Sequence, residues 1–143
     1  MNSYNGFSPN QRMKAFNWLK KQWAMGIREE KPKKCDICSQ TEGYLAYHSE
    51  DYSEPYGEHI GAFGLCYTCH MVIHCRFRNK KMCDIYLNAI KDNKCYEPMT
   101  GNKWIHFRTS GLQKHFQTLD YTIVIKNNAH LLEEIIQGKY QRN

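Results

Sequence analysis

Two pairs of cysteines with the same spacing constrain this chain more than any other feature. Cys35 and Cys38 form one Cys-x-x-Cys pair, Cys66 and Cys69 form a second, and 27 residues separate the pairs. Each such turn places two thiolates on one side, at a separation that suits a tetrahedral ion. Four sulfur ligands saturate Zn²⁺, so the pattern predicts a closed, structural zinc site that joins two distant segments. The alternative is a set of buried free thiols, which is how we interpret the three other cysteines, Cys75, Cys83 and Cys95.

The composition predicts a folded chain without a membrane-spanning segment. The chain has 143 residues, of which 41% are hydrophobic, and we expect residues 1–143 to form a single domain. No apolar run approaches the roughly 20 residues that span a bilayer, and the first residues contain no apolar signal-peptide core. Because seven cysteines in a chain that is not secreted indicate metal binding or free thiols, the expected location is cytoplasmic.

Charge divides the chain into three segments. Residues 1–34 carry eight Lys or Arg and two acidic residues, residues 35–75 carry six acidic residues and no Lys or Arg, and residues 76–143 carry twelve basic and six acidic residues. An acidic, cysteine-rich middle therefore lies between two basic flanks, within a formal net charge of +6. A basic chain of this size favours a polyanionic partner, nucleic acid first, although scattered lysines also solvate ordinary protein surfaces.

Apolar spacing and turn residues predict a mixed α+β fold. A first helix is predicted to begin at Ser8 and Pro9 and to end at Gly26. Four apolar residues, spaced three or four positions apart, predict the apolar face of this helix: Met13, Phe16, Leu19 and Trp23. The other predicted elements are strands at 43–48 and 59–64, helices at 65–79 and 83–90, and, in the C-terminal third, a helix at 112–119, a strand at 121–125 and a helix at 129–137.

Two histidines follow the second cysteine pair on a predicted helix. His70 and His74 are four residues apart, so their imidazoles share one face and can bind one cation together. Cys69 and His70 are adjacent and therefore diverge by about 100° around the helix axis. The helix is thus predicted to contribute thiolates to one ion and imidazoles to another. The alternative, that both histidines are surface or packed residues, is less favoured because His48 ends the preceding strand.

The order of these features resembles one family of nucleases. The chain runs cysteine pair, strand with His48, loop, second strand, cysteine pair, and helix with two histidines. The stretches HSEDYSEP and LCYTCHMVIH are similar to the H-x-x-D-Y-x-x-P and L-C-x-x-C-H-x-x-x-H segments of phage and restriction-type HNH, or ββα-metal, endonucleases in their zinc-stapled form. The resemblance covers residues 35–74. It implies a ββα-metal core at 35–79, between a basic N-terminal helix and connector at 1–34 and a mixed α/β C-terminal extension at 80–143 for DNA binding or dimerisation.

The resemblance assigns roles to the strand residues in two alternative registers. In the favoured register His48 is the general base that takes a proton from the attacking water, and Tyr47 occupies a metal-ligand position. In the other register His48 is a metal ligand and Ser49 occupies the position of the base. The middle asparagine of the family has no clear counterpart, since Gly61 lies near its position, and His59 close by is the candidate to replace it.

The activity implied by the resemblance is metal-dependent hydrolysis of phosphodiester bonds in double-stranded DNA, leaving 5′-phosphate and 3′-hydroxyl ends. His70 and His74 would hold the catalytic divalent cation, Mg²⁺ or another ion, while Zn²⁺ at the four cysteines is structural. A Type II restriction endonuclease is the leading expectation. The alternatives are a phage-type HNH nuclease of low specificity and a non-catalytic zinc module that binds DNA.

The basic flanks supply the candidate DNA contacts. Four lie on the first helix: Arg12, Lys14, Lys20 and Lys21. Four follow the predicted metal helix: Arg76, Arg78, Lys80 and Lys81. Three lie in the C-terminal segment: Lys103, Arg108 and Lys114. Because the chain has no separate recognition domain, we expect a homodimer that binds a short symmetric site.

Overall fold

A computed structural model describes residues 1–101, 121–122 and 127–140 of the chain. Within these residues the fold is mixed α+β, as predicted. Its helices and strands follow one another as α1 (Pro9–Ala24), β1 (Leu45–His48), β2 (Phe63–Cys66), α2 (Tyr67–Cys75), α3 (Lys80–Lys91), β3 (Lys94–Cys95), β4 (Tyr121–Thr122) and α4 (Ala129–Ile136). Outside the described residues lie the predicted helix at 112–119 and three candidate DNA contacts, Lys103, Arg108 and Lys114.

Helix α1 begins and ends where the sequence predicts. The Ser8 hydroxyl accepts a hydrogen bond from the Gln11 backbone N–H at 3.1 Å, and the Gln11 side chain accepts one from the Ser8 backbone N–H at 2.8 Å. This capping box satisfies two N–H groups that would otherwise lack partners. The helix ends at Ala24, two residues before Gly26, so the predicted boundaries are confirmed.

The buried face of α1 matches the predicted one only in part, since Leu19 is buried and Trp23 packs beside it. Ala15 and Leu19 are buried against Ile60, whereas Met13 and Phe16 of the predicted apolar face are exposed. The loop that carries Ile60 packs against the side of α1 that presents Ala15 and Leu19. Apolar spacing along α1 cannot reveal this contact, because the partner lies in a distant segment of the chain.

Strands β1 and β2 form an antiparallel hairpin in which Leu45 pairs with Cys66 and His48 pairs with Phe63. Strand β2 lies later in the chain than predicted, because residues 57–61 form a turn instead of a strand. Strand β2 therefore continues directly into α2. As a result Cys66 is the N-cap of α2, whereas the sequence predicts that it lies in the first turn. Its sulfur accepts a hydrogen bond from the Cys69 backbone N–H.

Gly64 joins β2 to the first cysteine pair. Its backbone N–H donates to Asp36 Oδ2 at 2.7 Å, and the Asp36 backbone N–H donates to the Gly64 carbonyl at 2.7 Å. A Cβ atom on Gly64 would lie 2.6 Å from Pro32 Cβ, so only glycine permits this approach. The contact brings the segment of Cys35 and Cys38 beside the end of β2, where the second pair begins.

The main hydrophobic core contains side chains from the hairpin and from helices α2, α3 and α4, and it includes all four paired cysteines. Cys83 and Cys95, two of the remaining thiols, are buried in the same core. Its larger apolar side chains are Ile37, Leu65, Val72, Ile73, Tyr86, Ile90, Leu132 and Ile135. Among the described residues, no helix combines the length and the hydropathy that crossing a bilayer requires.

Candidate metal centres

The two cysteine pairs meet in one group, the cysteine cluster (Cys35, Cys38, Cys66 and Cys69). Their Sγ atoms lie within 4.8 Å of one another, all four side chains are buried, and Cys38 Sγ is 3.6 Å from Cys66 Sγ. Four sulfurs about 2.3 Å from a tetrahedral ion would be roughly 3.8 Å apart, so the observed spacing fits this geometry. The four cysteines thus lie close together and could bind a metal such as zinc.

Hydrogen bonds fix the two cysteine pairs in the same way. The Cys38 N–H donates to Cys35 Sγ and the Cys69 N–H donates to Cys66 Sγ, each at 3.5 Å. The Tyr86 hydroxyl of α3 lies 3.0 Å from Cys69 Sγ, in position to donate to a thiolate. Burial raises the pKa of the Cys69 thiol, so an ionised sulfur there requires a neighbouring cation. A divalent ion in the cluster would meet this requirement.

Three histidines form a second group, the histidine cluster (His48, His70 and His74). His48 is the last residue of β1, and the other two lie one turn apart on α2. One ring nitrogen of each histidine lies within 4.8 Å of those of the other two, and the ring centroids are 4.7 to 5.1 Å apart. The structure thus brings together the three histidines that sequence analysis assigned to a catalytic site.

Helix α2 separates the two clusters. Cys69, Val72 and Ile73 are fully buried in the main core, whereas His70 and His74 belong to the other side of the helix, where they meet β1 and the N-terminal segment. Adjacent residues of one helix point in directions about 100° apart, which is why Cys69 and His70 can join different groups. The structure places them in two different groups, while the binding of a separate ion by each group stays a prediction.

The histidine cluster fits a divalent cation in its geometry and its protonation. His70 Nε2 and His74 Nε2 are 3.0 Å apart. Two nitrogens about 2.1 Å from one ion, at right angles to each other, would be about 3 Å apart. Burial lowers the pKa of His70 to about 3 and that of His74 to about 2, so both rings are neutral near pH 7 and offer lone pairs. Imidazole nitrogen favours ions such as Ni²⁺ or Zn²⁺, whereas Mg²⁺ prefers oxygen ligands.

A buried carboxylate, Glu50, contacts the histidine cluster. Its Oε2 lies 2.5 Å from His48 Nε2 and accepts from the Tyr4 hydroxyl, and its Oε1 accepts from Arg76 Nη2 at 2.5 Å. Burial alone would raise the pKa of Glu50, but His48, Arg76 and Tyr4 together lower it, so the carboxylate is ionised. An ionised carboxylate favours a proton on His48 Nε2, which leaves Nδ1 with the lone pair. His48 Nδ1 is buried and has no hydrogen-bond partner among the described residues.

Tyr4 reaches the site from a tight turn near the N-terminus. Tyr4 and Phe7 exchange backbone hydrogen bonds of 3.0 and 2.9 Å, and Asn5 and Gly6 between them have φ angles of 50° and 80°. Asn-Gly is a favoured pair for such turns, because both central positions require a left-handed backbone. The Asn5 side-chain amide donates to the Glu50 carbonyl at 2.7 Å, which fastens the turn to the hairpin.

Sequence reasoning missed Tyr4 and Glu50 as parts of the site. The Asn5-Gly6 pair is a local signal for the turn, and Glu50 follows His48 by only two residues. Neither signal indicates that the turn docks on a strand 44 residues later, which is the separation of Tyr4 and His48. Only the tertiary contact makes these side chains neighbours of the histidines.

A cavity of about 550 Å³, the histidine cavity, lies beside the histidine cluster and is lined by all three histidines. Arg12 of α1 also lines it, with its guanidinium 5.3 Å from the Tyr4 ring centre and 5.2 Å from that of Tyr52. This arginine brings a positive charge from the basic N-terminal flank to the cavity wall. The histidine cluster is therefore accessible to a ligand that carries negative charge.

Tyr47 does not belong to the histidine cluster. Its ring is stacked on Trp23, with centroids 6.2 Å apart, and lies 5.2 Å from the Arg28 guanidinium. Successive side chains of a strand point to opposite faces of the sheet, so His48 and Tyr47 diverge. This corrects the assignment of Tyr47 to a metal-ligand position.

Two other candidates near the strand serve the loop that joins β1 to β2. The Ser49 hydroxyl accepts a hydrogen bond from the Gly61 N–H at 2.6 Å, and His59 Nε2 lies 2.8 Å from the Ser53 carbonyl oxygen. Both contacts hold the loop closed. The contacts of Ser49 favour an anchoring role over that of a base, and His59 is not one of the clustered histidines.

The candidate DNA contacts after α2 separate into two kinds. Arg78, Lys80 and Lys81 are exposed, as a contact with phosphate requires. Arg76 is only 8% exposed and its guanidinium is bound to Glu50. Its assignment as a phosphate contact is therefore corrected, because the side chain already has a buried anionic partner.

These observations define an α+β chain with a cluster of four buried cysteines on one side of helix α2 and a cluster of three cavity-lining histidines on the other. Each group has a donor set that fits a divalent metal ion. Comparisons of the chain with protein-family models, with curated proteins and with solved structures find no match.

Proposed function

We propose that this chain is a metal-dependent endonuclease of the HNH, or ββα-metal, type that hydrolyses phosphodiester bonds of double-stranded DNA. The observation that carries the proposal is the convergence of His48, His70 and His74 beside a cavity, from a β-hairpin and the helix that follows it. Cysteine pairs flank this hairpin in the order on which the resemblance to the family rests. Zinc at the cysteine cluster would fasten the hairpin to α2 and so hold the imidazoles in place.

The side chains of the histidine cluster have separate tasks in this proposal. His70 and His74 would hold the catalytic divalent ion, which when bound stabilises negative charge on the phosphate and on the leaving oxygen. His48 is the general base: Glu50 accepts the Nε2–H, and Nδ1 takes the proton of the attacking water. Arg76 and Tyr4 orient Glu50 through hydrogen bonds to its carboxylate.

The alternative role of His48 is that of a third metal ligand. A ligating histidine commonly donates its second N–H to a carboxylate, and Glu50 would serve that role equally well. The two roles predict different metal content. As a base, His48 can be replaced without loss of the histidine-bound ion, whereas as a ligand its removal weakens that ion.

Charge supports DNA as the substrate. Residues 35–75 carry six acidic residues and no Lys or Arg, so a phosphate group would be repelled without cations from elsewhere. Arg12 lines the histidine cavity, and Arg78, Lys80 and Lys81 are exposed just beyond α2. These side chains would guide the phosphate backbone to the cut. We propose that the chain acts as a Type II restriction endonuclease, in the form of a homodimer that binds a short symmetric site. Sedimentation velocity tests whether it dimerises.

Plasmid cleavage tests the proposal. Supercoiled plasmid is incubated with the chain and Mg²⁺, Mn²⁺, Ni²⁺ or Zn²⁺ in turn, and the reaction is repeated with His48→Ala and with the control His59→Ala, whose histidine lies in the loop. Discrete bands that are lost only in His48→Ala support a site-specific nuclease. A smear lost in the same variant supports a phage-type nuclease of low specificity. Absence of cutting with every ion, together with a retained gel shift, rejects the nuclease in favour of a zinc module that binds DNA.

A further inference from the structure

The histidine cavity has a wall that the chemistry of the histidine cluster does not require. Besides the three histidines and Arg12, five aromatic residues line it. They come from the first helix, from the first strand with the residue before it, and from the following loop: Phe16, Trp23, Tyr44, Tyr47 and Tyr52. Phe16 and Tyr44 are each 37% exposed, so their rings are accessible at the surface. A volume of about 550 Å³ lies within the roughly 300–1,000 Å³ typical of small-ligand pockets.

Residues that carry unpartnered polar atoms are concentrated around this cavity. Among the described residues, buried side-chain nitrogen or oxygen atoms without a hydrogen bond belong to Arg12, Trp23, His48, His70 and Asn127, and all but Asn127 line the histidine cavity. Arg12 Nε and Trp23 Nε1 can only donate hydrogen bonds. A buried donor without an acceptor is costly, so this wall is complementary to a ligand that presents acceptor atoms.

Arg12 is held in place for such a ligand. One of its terminal nitrogens donates to the Asn2 carbonyl at 2.5 Å, and its guanidinium lies 5.3 and 5.2 Å from the ring centres of Tyr4 and Tyr52. These contacts fix the side chain while Nε stays unpartnered. A positively charged donor between aromatic rings suits a phosphate attached to a planar base.

We propose that the histidine cavity binds one unpaired nucleotide next to the scissile phosphate, an inference that rests on the proposed nuclease function. The base lies against the aromatic wall, where Trp23 Nε1 donates to one of its acceptors, and the phosphate lies toward Arg12. A base stacked within a duplex has both faces covered and cannot occupy such a wall. The substrate at this site is therefore a single strand, or a duplex opened by one nucleotide.

Binding of matched oligonucleotides tests the inference. Anisotropy titrations use the zinc-loaded full chain without added Mg²⁺ or Mn²⁺ and four labelled probes: a single strand, its perfect duplex, the same duplex with a one-nucleotide bulge, and that bulge made abasic. Because the protein need not unstack the bulged base, we expect the bulged duplex to bind at least about tenfold more tightly than the perfect one. The duplex with the abasic bulge should bind no more tightly than the perfect duplex. Equal affinity for bulged and perfect duplexes, an unchanged gain with the abasic bulge, or no binding of any probe overturns the inference.

A variant assigns the effect to the cavity. Trp23→Phe keeps an aromatic side chain but removes the unpartnered N–H together with the five-membered part of the indole, and should reduce the preference for the bulged duplex several-fold. Trp18→Phe is the matched control, since Trp18 packs on the same helix but does not line the histidine cavity. A preference that survives Trp23→Phe unchanged contradicts the assignment to this wall.

Cleavage of the same oligonucleotides in Mn²⁺ separates the two proposals. Selective binding of the bulged duplex without cleavage of any probe supports the nucleotide site and rejects the nuclease. Cleavage of the perfect duplex, with no preference for the bulge in binding or in rate, supports the nuclease and rejects the nucleotide site.

Discussion

The cysteine cluster and the histidine cluster use the same helix but differ in burial and in the number of ligands they supply. The cysteines are at most 3% exposed and lie in the main core. The histidines line a cavity of about 550 Å³. Four thiolates complete a tetrahedral shell, whereas three imidazoles leave positions for water or a substrate. The first group is suited to retaining an ion, and the second to sharing one with a ligand.

The surroundings of the two clusters differ in the same sense. The sulfurs are surrounded by apolar side chains, with the Tyr86 hydroxyl as a nearby donor. The imidazoles contact a network of charged and polar groups that contains Glu50, Arg76 and Tyr4. Side chains near the sulfurs should therefore affect stability. The imidazoles and Tyr4 should affect activity, whereas Arg76, as the charged partner of buried Glu50, should affect stability. Four experiments test this division.

The largest effect is expected from breaking the cysteine cluster. Cys69→Ser removes one of the four thiols of the buried cysteine cluster. Structural zinc sites bind their ion with a free energy on the order of 10 kcal/mol, so we expect loss of zinc and of cooperative folding. Zinc analysis measures the bound metal, and thermal unfolding monitored by circular dichroism measures the cooperativity of folding. Cys75→Ser, a half-buried cysteine outside the cluster, should behave like the parent chain. A Cys69→Ser chain that folds normally without zinc would remove the structural role.

Arg76→Met tests the buried ion pair near the histidines. Removing the cation leaves the Glu50 carboxylate buried without its charged partner, and we expect a loss of about 3–5 kcal/mol in the free energy of unfolding. The measurement is urea unfolding. Arg78→Met, two residues along and exposed, should change stability by no more than about 0.5 kcal/mol. Equal effects of the two substitutions would show that the pair contributes nothing to stability.

His70→Ala should separate activity from stability. It removes one proposed ligand of the catalytic ion and should lower plasmid cleavage by at least about 100-fold, while the zinc expected at the cysteine cluster and the urea midpoint stay close to those of the parent. His130→Ala on α4 is the control, since this side chain is 83% exposed. If His70→Ala loses the zinc expected at the cysteine cluster, or unfolds, the two clusters form one structural unit and do not divide stability from activity.

The smallest effects are expected from two tyrosines that contact one cluster each. Tyr86→Phe removes the hydroxyl near Cys69 and should lower stability by about 1 kcal/mol without changing cleavage. Tyr4→Phe removes a hydrogen bond to Glu50 and should lower cleavage by about tenfold, through looser orientation of His48. Urea unfolding and plasmid cleavage of both variants complete the test. The opposite pattern, with Tyr86→Phe inactive and Tyr4→Phe fully active, argues against the division.

Local signals in the sequence predicted a large part of this structure. The cap of α1 depends on Ser8 and Gln11, three residues apart, and the grouping of His70 with His74 depends on one turn of helix. Interactions within a few residues depend only on the regular geometry of the backbone, so spacing is sufficient to predict them. The position of β2 was not predicted in this way, because residues 57–61 form a turn and Gly64 of the strand exchanges hydrogen bonds with Asp36, 28 residues away.

The charged network around His48 shows where sequence patterns stop being informative. Arg76 follows the predicted metal helix and begins a basic flank, so the charge pattern of the sequence predicts an exposed contact with phosphate. In the structure Arg76 and Glu50 are buried together, with 4% and 2% of their side chains exposed. Arg and Glu are almost never buried unless paired, and the pairing depends on the meeting of residues 26 positions apart.

The amino-acid sequence by itself determined the α+β class and the two sets of potential ligands, four cysteines and three histidines, because their spacing follows from turn and helix geometry. Tertiary structure alone decided which groups surround each set. It enclosed the sulfurs in the main core, brought Tyr4 and Arg76 to Glu50, and placed Arg12 and Trp23 in the wall of the histidine cavity. The physical reason is that burial and pairing of polar groups depend on contacts between distant segments, which no local periodicity encodes.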